Sequence, residues 1–281
     1  MKEKQVLKNL QDKIHNSFLE RIFLMGGRKE ARQGLNAERI LIDWLNNKFF
    51  LDKNYLKVCE IKGIEFPKNP YALKPKNRKK CDIKVISRSE NNSSLCITLK
   101  TITNASFHQI DRRWLDKWAR ILDMPQNIYD IFIDAIKRVA EDGNACFILP
   151  KDRGIVKEFL NSNLTKIMKE IFKADEEDIK VLAIYNVATN KICFFDLEEV
   201  IEYFAKSEIN FSNKGIIKIG EFITIQRKGG NGSHIRMKKT DLRHPGNQLQ
   251  FKFKPLEFMK ACLNYSLIKK TCCFEVEVSN A

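Results

Sequence analysis

KKCDIKVISRSENNSSLCITLKT, residues 79–101, reads as two strands joined by a polar turn. From 81 to 87 the apolar Ile83 and Val85 alternate with Asp82 and Lys84, the two-residue period of a strand with one buried face. SENNSS is turn chemistry, because Ser and Asn side chains bond their own backbone. Residues 95–102 form the return strand. Each strand carries one residue that a strand interior does not need: Asp82 near the start of the first, Lys100 near the end of the second. Pairing the strands brings both positions to the same end of the hairpin, with Thr98 between them.

These three residues have the parts for phosphodiester hydrolysis. That reaction needs an activated water, a cation to stabilise the developing charge and help for the leaving oxygen. Mg²⁺ prefers hard oxygen ligands and takes one or two carboxylates from a protein, so Asp82 can supply a metal oxygen. Lys100 can orient or deprotonate the water, or neutralise phosphate charge. By itself the pattern is degenerate, since a surface Asp and a surface Lys give the same letters.

The composition narrows the classes. Lys plus Arg is 50 against 35 Asp plus Glu, a formal net charge of +15 over 281 residues. A basic protein of this size commonly meets a polyanion, and nucleic acid is the first candidate. A hydrophobic content of 43% argues for a globular chain rather than disorder. No apolar run approaches the ~20 residues of a membrane span. The start MKEKQVLKNLQDK has no apolar secretory core, so a cytoplasmic protein with no membrane partner is expected. Cysteines at 59, 81, 96, 146, 193, 262, 272 and 273 show no CxxC spacing. They are expected to be reduced, buried thiols.

Outward from the hairpin, periodicity predicts a helix over 2–24 and a second over 29–50. The apolar stripe of the second is Leu35, Ile42, Leu45 and Phe49, with Glu38 falling inside it. A carboxylate on such a stripe is costly unless paired or bound to a cation. Residues 51–80 look irregular, with Pro67, Pro70 and Pro75 and an exposed basic run KPKNRKK. Helices are predicted over 109–122, 127–142 and 155–173. ACFIL (145–149) is predicted as a short buried strand, two strands flank the turn at 189–190, and Asp196 caps a helix through Phe204. GIIKIGEFITIQ (215–226) reads as one long strand and QLQFKFK (248–254) as another. A polar, basic loop separates them. The order predicts an α/β chain: one domain over 1–281, with one mixed sheet and helices on its faces.

The hairpin resembles the core of the PD-(D/E)XK nucleases. It is most similar to the MspI-like and GCGC-cutting type II restriction endonucleases, in which a neutral polar residue replaces the second acidic residue. Here that triplet is Thr98-Leu99-Lys100. FHQIDRRWLDKW (107–118), ITIQRKGGNG (223–232) and LQFKFKP (249–255) resemble, in the same order, segments of a GCGC-cutting member. GLNAERILIDWL (34–45) matches more loosely, with Glu38 on the family's helical Glu. The resemblance implies a restriction-endonuclease-like core that hydrolyses double-stranded DNA with Mg²⁺ at a short G·C palindrome, GCGC. It also implies a cognate cytosine DNA methyltransferase and action as a monomer or a DNA-dependent dimer. Asp82 would bind metal and Lys100 would serve the water. Glu38, Thr98 and the backbone carbonyl of Leu99 would complete the metal environment.

Base reading in the major groove calls for Arg or Lys at guanine, Gln or Asn at adenine, and Asp or Glu at cytosine. The C-terminal third is rich in such groups: Gln226, Arg227, Lys228, Asn231, Arg236, Lys238, Asp241, Arg243, Gln248, Gln250 and Lys252. By resemblance, Gln250 and Lys252 lie on the base-reading strand, Gln226, Arg227 and Lys228 on its partner, and Gln109 approaches the central bases. An ordinary amphipathic edge strand gives the same alternation. His108, His234 and His244 are assigned no catalytic role. Three other readings stay open: a sequence-specific DNA-binding protein with a decayed nuclease core, a structure-selective repair nuclease and, last, an RNA-binding protein, which would need aromatic stacking platforms.

Overall fold

A computed structural model describes residues 34–76, 78, 80–90, 93–102, 107–230 and 237–277. The helix expected over 2–24 lies outside them. Helix α1 covers 34–44 and runs into a π-helical turn, Leu45–Phe49. Its buried face is Ala37, Leu41, Trp44, Leu45 and Phe49, so Leu35, 54% exposed, is not part of the core as expected. The described residues between 51 and 80 are more ordered than their prolines suggest. They hold α2 (Lys53–Ile61), capped by Asp52, and the edge strand β1 (Pro70–Leu73). Pro70 is tolerated because it opens an edge strand.

The predicted hairpin forms as β2 (Ile83–Ser87) and β3 (Ser94–Ile102), paired antiparallel with Ile83 opposite Ile97. The segment expected to be a helix over 109–122 divides. Its first part is β4 (His108–Arg113), and the helix α3 spans Leu115–Leu122. Then come α4 (Gln126–Glu141) and α5 (Arg153–Phe172). ACFIL between them is not a strand. Phe147 and Ile148 are buried in a loop and bond Lys214 O and Gly215 O. Gly215 is at φ +67°, and a Cβ there would stand 2.4 Å from Ile148 O, so the close approach requires glycine.

β5 (Ile179–Asn186), β6 (Lys191–Asp196) and α6 (Leu197–Ala205) match expectation, and Asp196 accepts the Glu199 amide at the helix start. After β7 (Ile209–Phe211), the long strand expected over 215–226 is two strands. These are β8 (Ile217–Ile219) and β9 (Ile223–Arg227), folded back at Gly220, φ +54°. β10 (Leu249–Phe253), α7 (Pro255–Tyr265) and β11 (Thr271–Glu275) complete the described elements.

The architecture is mixed α/β as expected, but the described strands form two sheets rather than one. The first has the order β1-β2-β3-β5-β6-β11, antiparallel except for the parallel pair β3–β5. A parallel pair needs a long crossover, and here it carries β4 and three helices. The second sheet, β4-β10-β9-β8-β7, is antiparallel throughout.

Side-chain alternation splits the first sheet between two cores. Ile83, Val85, Ile97 and Leu99 join Leu41, Trp44 and Phe49 on the α1 face. Cys96, Leu182, Ile184 and Phe195 face α5, α6, α7 and the inner face of the second sheet. Trp118 sits in that larger core, 4.9 Å from the Phe251 ring and 1% exposed. Trp118→Ala is expected to cost about 3–5 kcal/mol of stability, read as a lower denaturation midpoint.

Four cysteines are not the reduced thiols expected. Cys81–Cys96 and Cys193–Cys273 are disulfides. Cys193 and Cys273 stand directly opposite on β6 and β11, a register that sequence spacing does not reveal. No helix among the described residues is long and apolar enough to cross a membrane.

Candidate functional site

Asp82 lies one residue before β2, where the hairpin is already paired: its amide donates to Ile97 O at 2.9 Å. Its Oδ2 accepts the Leu99 amide at 2.6 Å and the Thr98 hydroxyl at 3.4 Å. Lys100 Nζ donates to Thr98 Oγ1 at 3.2 Å and to Leu99 O at 3.1 Å. The structure therefore brings Asp82, Thr98, Leu99 and Lys100 together. Thr98 is buried, and its hydroxyl links the carboxylate to the ammonium.

Glu38 is placed differently. It rides on α1, which packs on the Leu99 face of the sheet, whereas Thr98 and Lys100 alternate to the other face. Its carboxylate pairs with Lys74 Nζ at 2.7 Å, and no described contact joins it to Asp82. Among the described residues no three His, Cys, Asp or Glu side chains gather as a metal cage. The oxygen donors that do converge are the Asp82 carboxylate, the Thr98 hydroxyl and the Leu99 carbonyl. That hard set fits an ion such as Mg²⁺, which keeps several waters and needs few carboxylates.

The second sheet presents a polar face. Leu249, Phe251 and Phe253 are buried, while Gln250 and Lys252 are half-exposed on the opposite side. Gln250 stands across from Gln226 on β9 and Arg112 on β4; Lys252 stands across from Thr224 and Gln109. Gln250 Nε2 donates to Gln109 Oε1 at 2.8 Å, joining two candidates 141 positions apart in sequence. Lys218 continues the row beside Thr224. Arg112, exposed, was hidden from sequence reading by the false helix over 109–122. Once β4 is a strand, its partner Gln250 identifies it.

Arg227 does not share that face. It is buried, its Nε donates to Asn247 Oδ1 at 2.7 Å, and desolvation lowers its pKa. It holds the turn before β10. Lys228 is half-buried, and burial, then Arg112 and Arg227, lower its pKa. Asp241 and Arg243 pair with each other at 2.7 Å. His244 is buried and its Nδ1 accepts the Gly246 amide. Asn231, His234 and Arg236 lie outside the described residues.

Lys80 was expected in an exposed basic run. Instead its side chain is half-buried, 14% exposed, with Nζ donating to Ile110 O at 2.8 Å and Asp111 Oδ1 at 3.1 Å. Burial lowers its pKa, Asp111 opposes that shift, and the nearby Lys100 and Arg113 charges add to it.

No protein-family model matches the sequence, and no curated protein matches it. The fold aligns with the crystal structure of the restriction endonuclease MspI in complex with its cognate DNA, at 9% identity and a TM-score of 0.48. The alignment covers 77% of this chain and 87% of that one.

Proposed function

We propose that the chain is a Mg²⁺-dependent endonuclease that cleaves double-stranded DNA at a short G·C palindrome, as the sequence resemblance to GCGC-cutting enzymes implies. The observation that carries this reading is the Asp82–Thr98–Lys100 cluster, in which a carboxylate and an ammonium meet on one buried hydroxyl. Asp82, Thr98 and the Leu99 carbonyl would hold the ion. When bound, Mg²⁺ would supply Lewis-acid stabilisation of phosphoryl charge and a more acidic water.

Asp82 is kept in place by the Leu99 amide. Lys100 Nζ donates to two of these same oxygens, Thr98 Oγ1 and Leu99 O, so an ion held there would release its N–H groups for a water or a phosphate oxygen. Glu38, paired with Lys74, has no described contact with this set and is not counted among the groups that would hold the ion. The polar face of β4, β10 and β9 would read bases with Gln109, Gln250, Lys252 and Gln226. Pairing with a cytosine methyltransferase would protect host sites.

The test is plasmid digestion with purified protein in Mg²⁺ and in EDTA, with fragment ends sequenced. Discrete fragments that require Mg²⁺ support the reading and reveal the site. The ion pair between Glu38 and Lys74 favours one rival, a DNA-binding protein whose nuclease core has decayed. Intact plasmid together with a gel shift on GC-rich duplex would select it.

Two contacts on the polar face separate by kind. Lys252→Ala is expected to relax discrimination at one base pair by about 1–3 kcal/mol. Arg112→Ala is expected to weaken all duplexes alike and reduce the salt slope of binding by about 1. Fluorescence anisotropy across a KCl series, on cognate and single-change duplexes, measures both.

A further inference from the structure

The polar face and the hairpin are parts of different sheets, yet one half-buried side chain, Lys80, ties them together. β4 pairs with β10 through an irregular register. Asp111 stands opposite Phe251 and Gln109 opposite Lys252, leaving Ile110 as the extra residue of a bulge. A bulge re-aims side chains. Here it lets Gln109 and Arg112 both face outward while Asp111 turns inward, where its side chain is 6% exposed. An isolated carboxylate there would be costly.

Lys80 meets both products of the bulge: its Nζ takes the Ile110 carbonyl and Asp111 Oδ1. Arg113 adds a second cation to Asp111 Oδ1 at 3.1 Å and pairs onward with Glu170 on α5. Lys80 is also two residues before Asp82, on a segment held at its backbone. The Lys80 and Cys81 amides both donate to Glu176 Oε2 at 3.0 Å, and Arg78 pairs with Glu176 and Asp178. With its backbone fixed to Glu176 and its ammonium on the bulge, Lys80 gives β4 little freedom to move without pulling on Asp82. Packed charge networks of this kind can carry coupling between sites, provided both sites bias the same element.

We infer that the Lys80–Asp111 pair is the link through which correct base contacts at Gln109, on the same strand as the phosphate-binding Arg112, align Asp82, which makes Lys80 and Asp111 positioning and specificity-determining residues of the proposed cleavage. This rests on the nuclease reading and deepens it. A wrong base pair that shifts β4 would shift the bulge, and through Lys80 it would displace the carboxylate. Discrimination would then appear in the cleavage step as well as in binding.

The experiment compares wild type with Lys80→Arg, Asp111→Asn and the double variant K80M/D111L. Removing one partner of a buried pair is strongly destabilising, whereas replacing both with apolar volume is often neutral. The double variant therefore keeps the test open if Asp111→Asn does not fold. Thermal unfolding checks folding. Single-turnover rates at saturating DNA are measured at the mapped site and at sites changed by one base, with binding measured in parallel.

For K80M/D111L the cognate rate is expected to fall by about 10²-fold, the loss typical of a small misplacement of reacting groups. Cognate binding should hold, and the cognate to near-cognate rate ratio should drop about tenfold, a 1.4 kcal/mol effect. Lys80→Arg, which keeps a cation on Asp111, should recover part of that ratio. A folded double variant with the wild-type ratio overturns the inference and leaves the nuclease reading standing. Absence of cutting by wild type overturns the nuclease reading itself, and the inference with it.

Discussion

Asp82→Asn is expected to reduce DNA cleavage by on the order of 10³-fold or more while duplex binding persists. The asparagine keeps an oxygen for the Leu99 amide, which Asp82 now accepts at 2.6 Å, so the hairpin end keeps its shape. What disappears is the negative charge, and with it the hard anionic ligand. Asp82→Ala is a weaker test, because it also leaves the Leu99 amide without its acceptor. A buried polar group left unpaired costs about 1–3 kcal/mol, which confuses chemistry with folding. Single-turnover cleavage of a labelled duplex, with gel-shift binding alongside, makes the comparison. Wild-type turnover by Asp82→Asn would remove Asp82 from the chemistry. Loss of binding and cutting together would assign it to the fold. The charge at Asp82 has few substitutes: Thr98 contributes a neutral hydroxyl, and Glu38 is occupied by Lys74.

How much of this arrangement could be read in the letters depends on the residue. The hairpin was legible because both strands keep a clear two-residue period around a polar turn. α4 and α5 were legible from long helical periods, and the α6 start from Asp196. β4 was not. Ile110, Trp114, Leu115 and Trp118 are spaced as a helical stripe, but only Leu115 and Trp118 lie in α3; Trp114 is the extended, exposed residue before it and Ile110 is the bulge of a strand. Its partner β10 lies more than a hundred positions away, so no local signal could reveal the pairing. That misreading also hid Arg112 and Asp111.

Lys80 was lost for a related reason. Inside KPKNRKK every lysine reads as solvated, and only the inward turn of Asp111 gives one of them a buried partner. The long strand over 215–226 failed at Gly220, where φ +54° folds the chain back on itself. A glycine inside a strand pattern is a known warning of a bulge or close approach, and here it marked a turn. Arg227 reads as a base contact by its neighbours, but it ends β9 on the inner side of the alternation. The outward positions are Thr224 and Gln226. Glu38 had the opposite fate. Its carboxylate does need a partner on a half-buried helix face, and the partner in the described structure is Lys74.

Lys100→Met is expected to slow cleavage by about 10²–10⁴-fold, the usual range for a lost proton-transfer or charge-stabilising group. Methionine keeps most of the aliphatic stem, so packing against the β3–β5 ladder, where Lys100 faces Ile184, is preserved. Thr98 keeps Asp82 as a partner when Lys100 leaves. Two further variants divide the possible roles. Lys100→Arg retains a cation that does not give up its proton in a protein. If Lys100 acts as fixed charge on the phosphate, the arginine restores much of the rate. If it moves a proton at Nζ, the arginine stays as slow as methionine. The double variant D82N/K100M asks whether the two groups work as one unit, as their shared contact with Thr98 implies. Residues acting on one transition state lose their effects non-additively, so the double variant should be little slower than the worse single. Losses that multiply would mean that Asp82 and Lys100 stabilise separate steps, and the hydroxyl of Thr98 would then be a structural spacer rather than the bridge of one site.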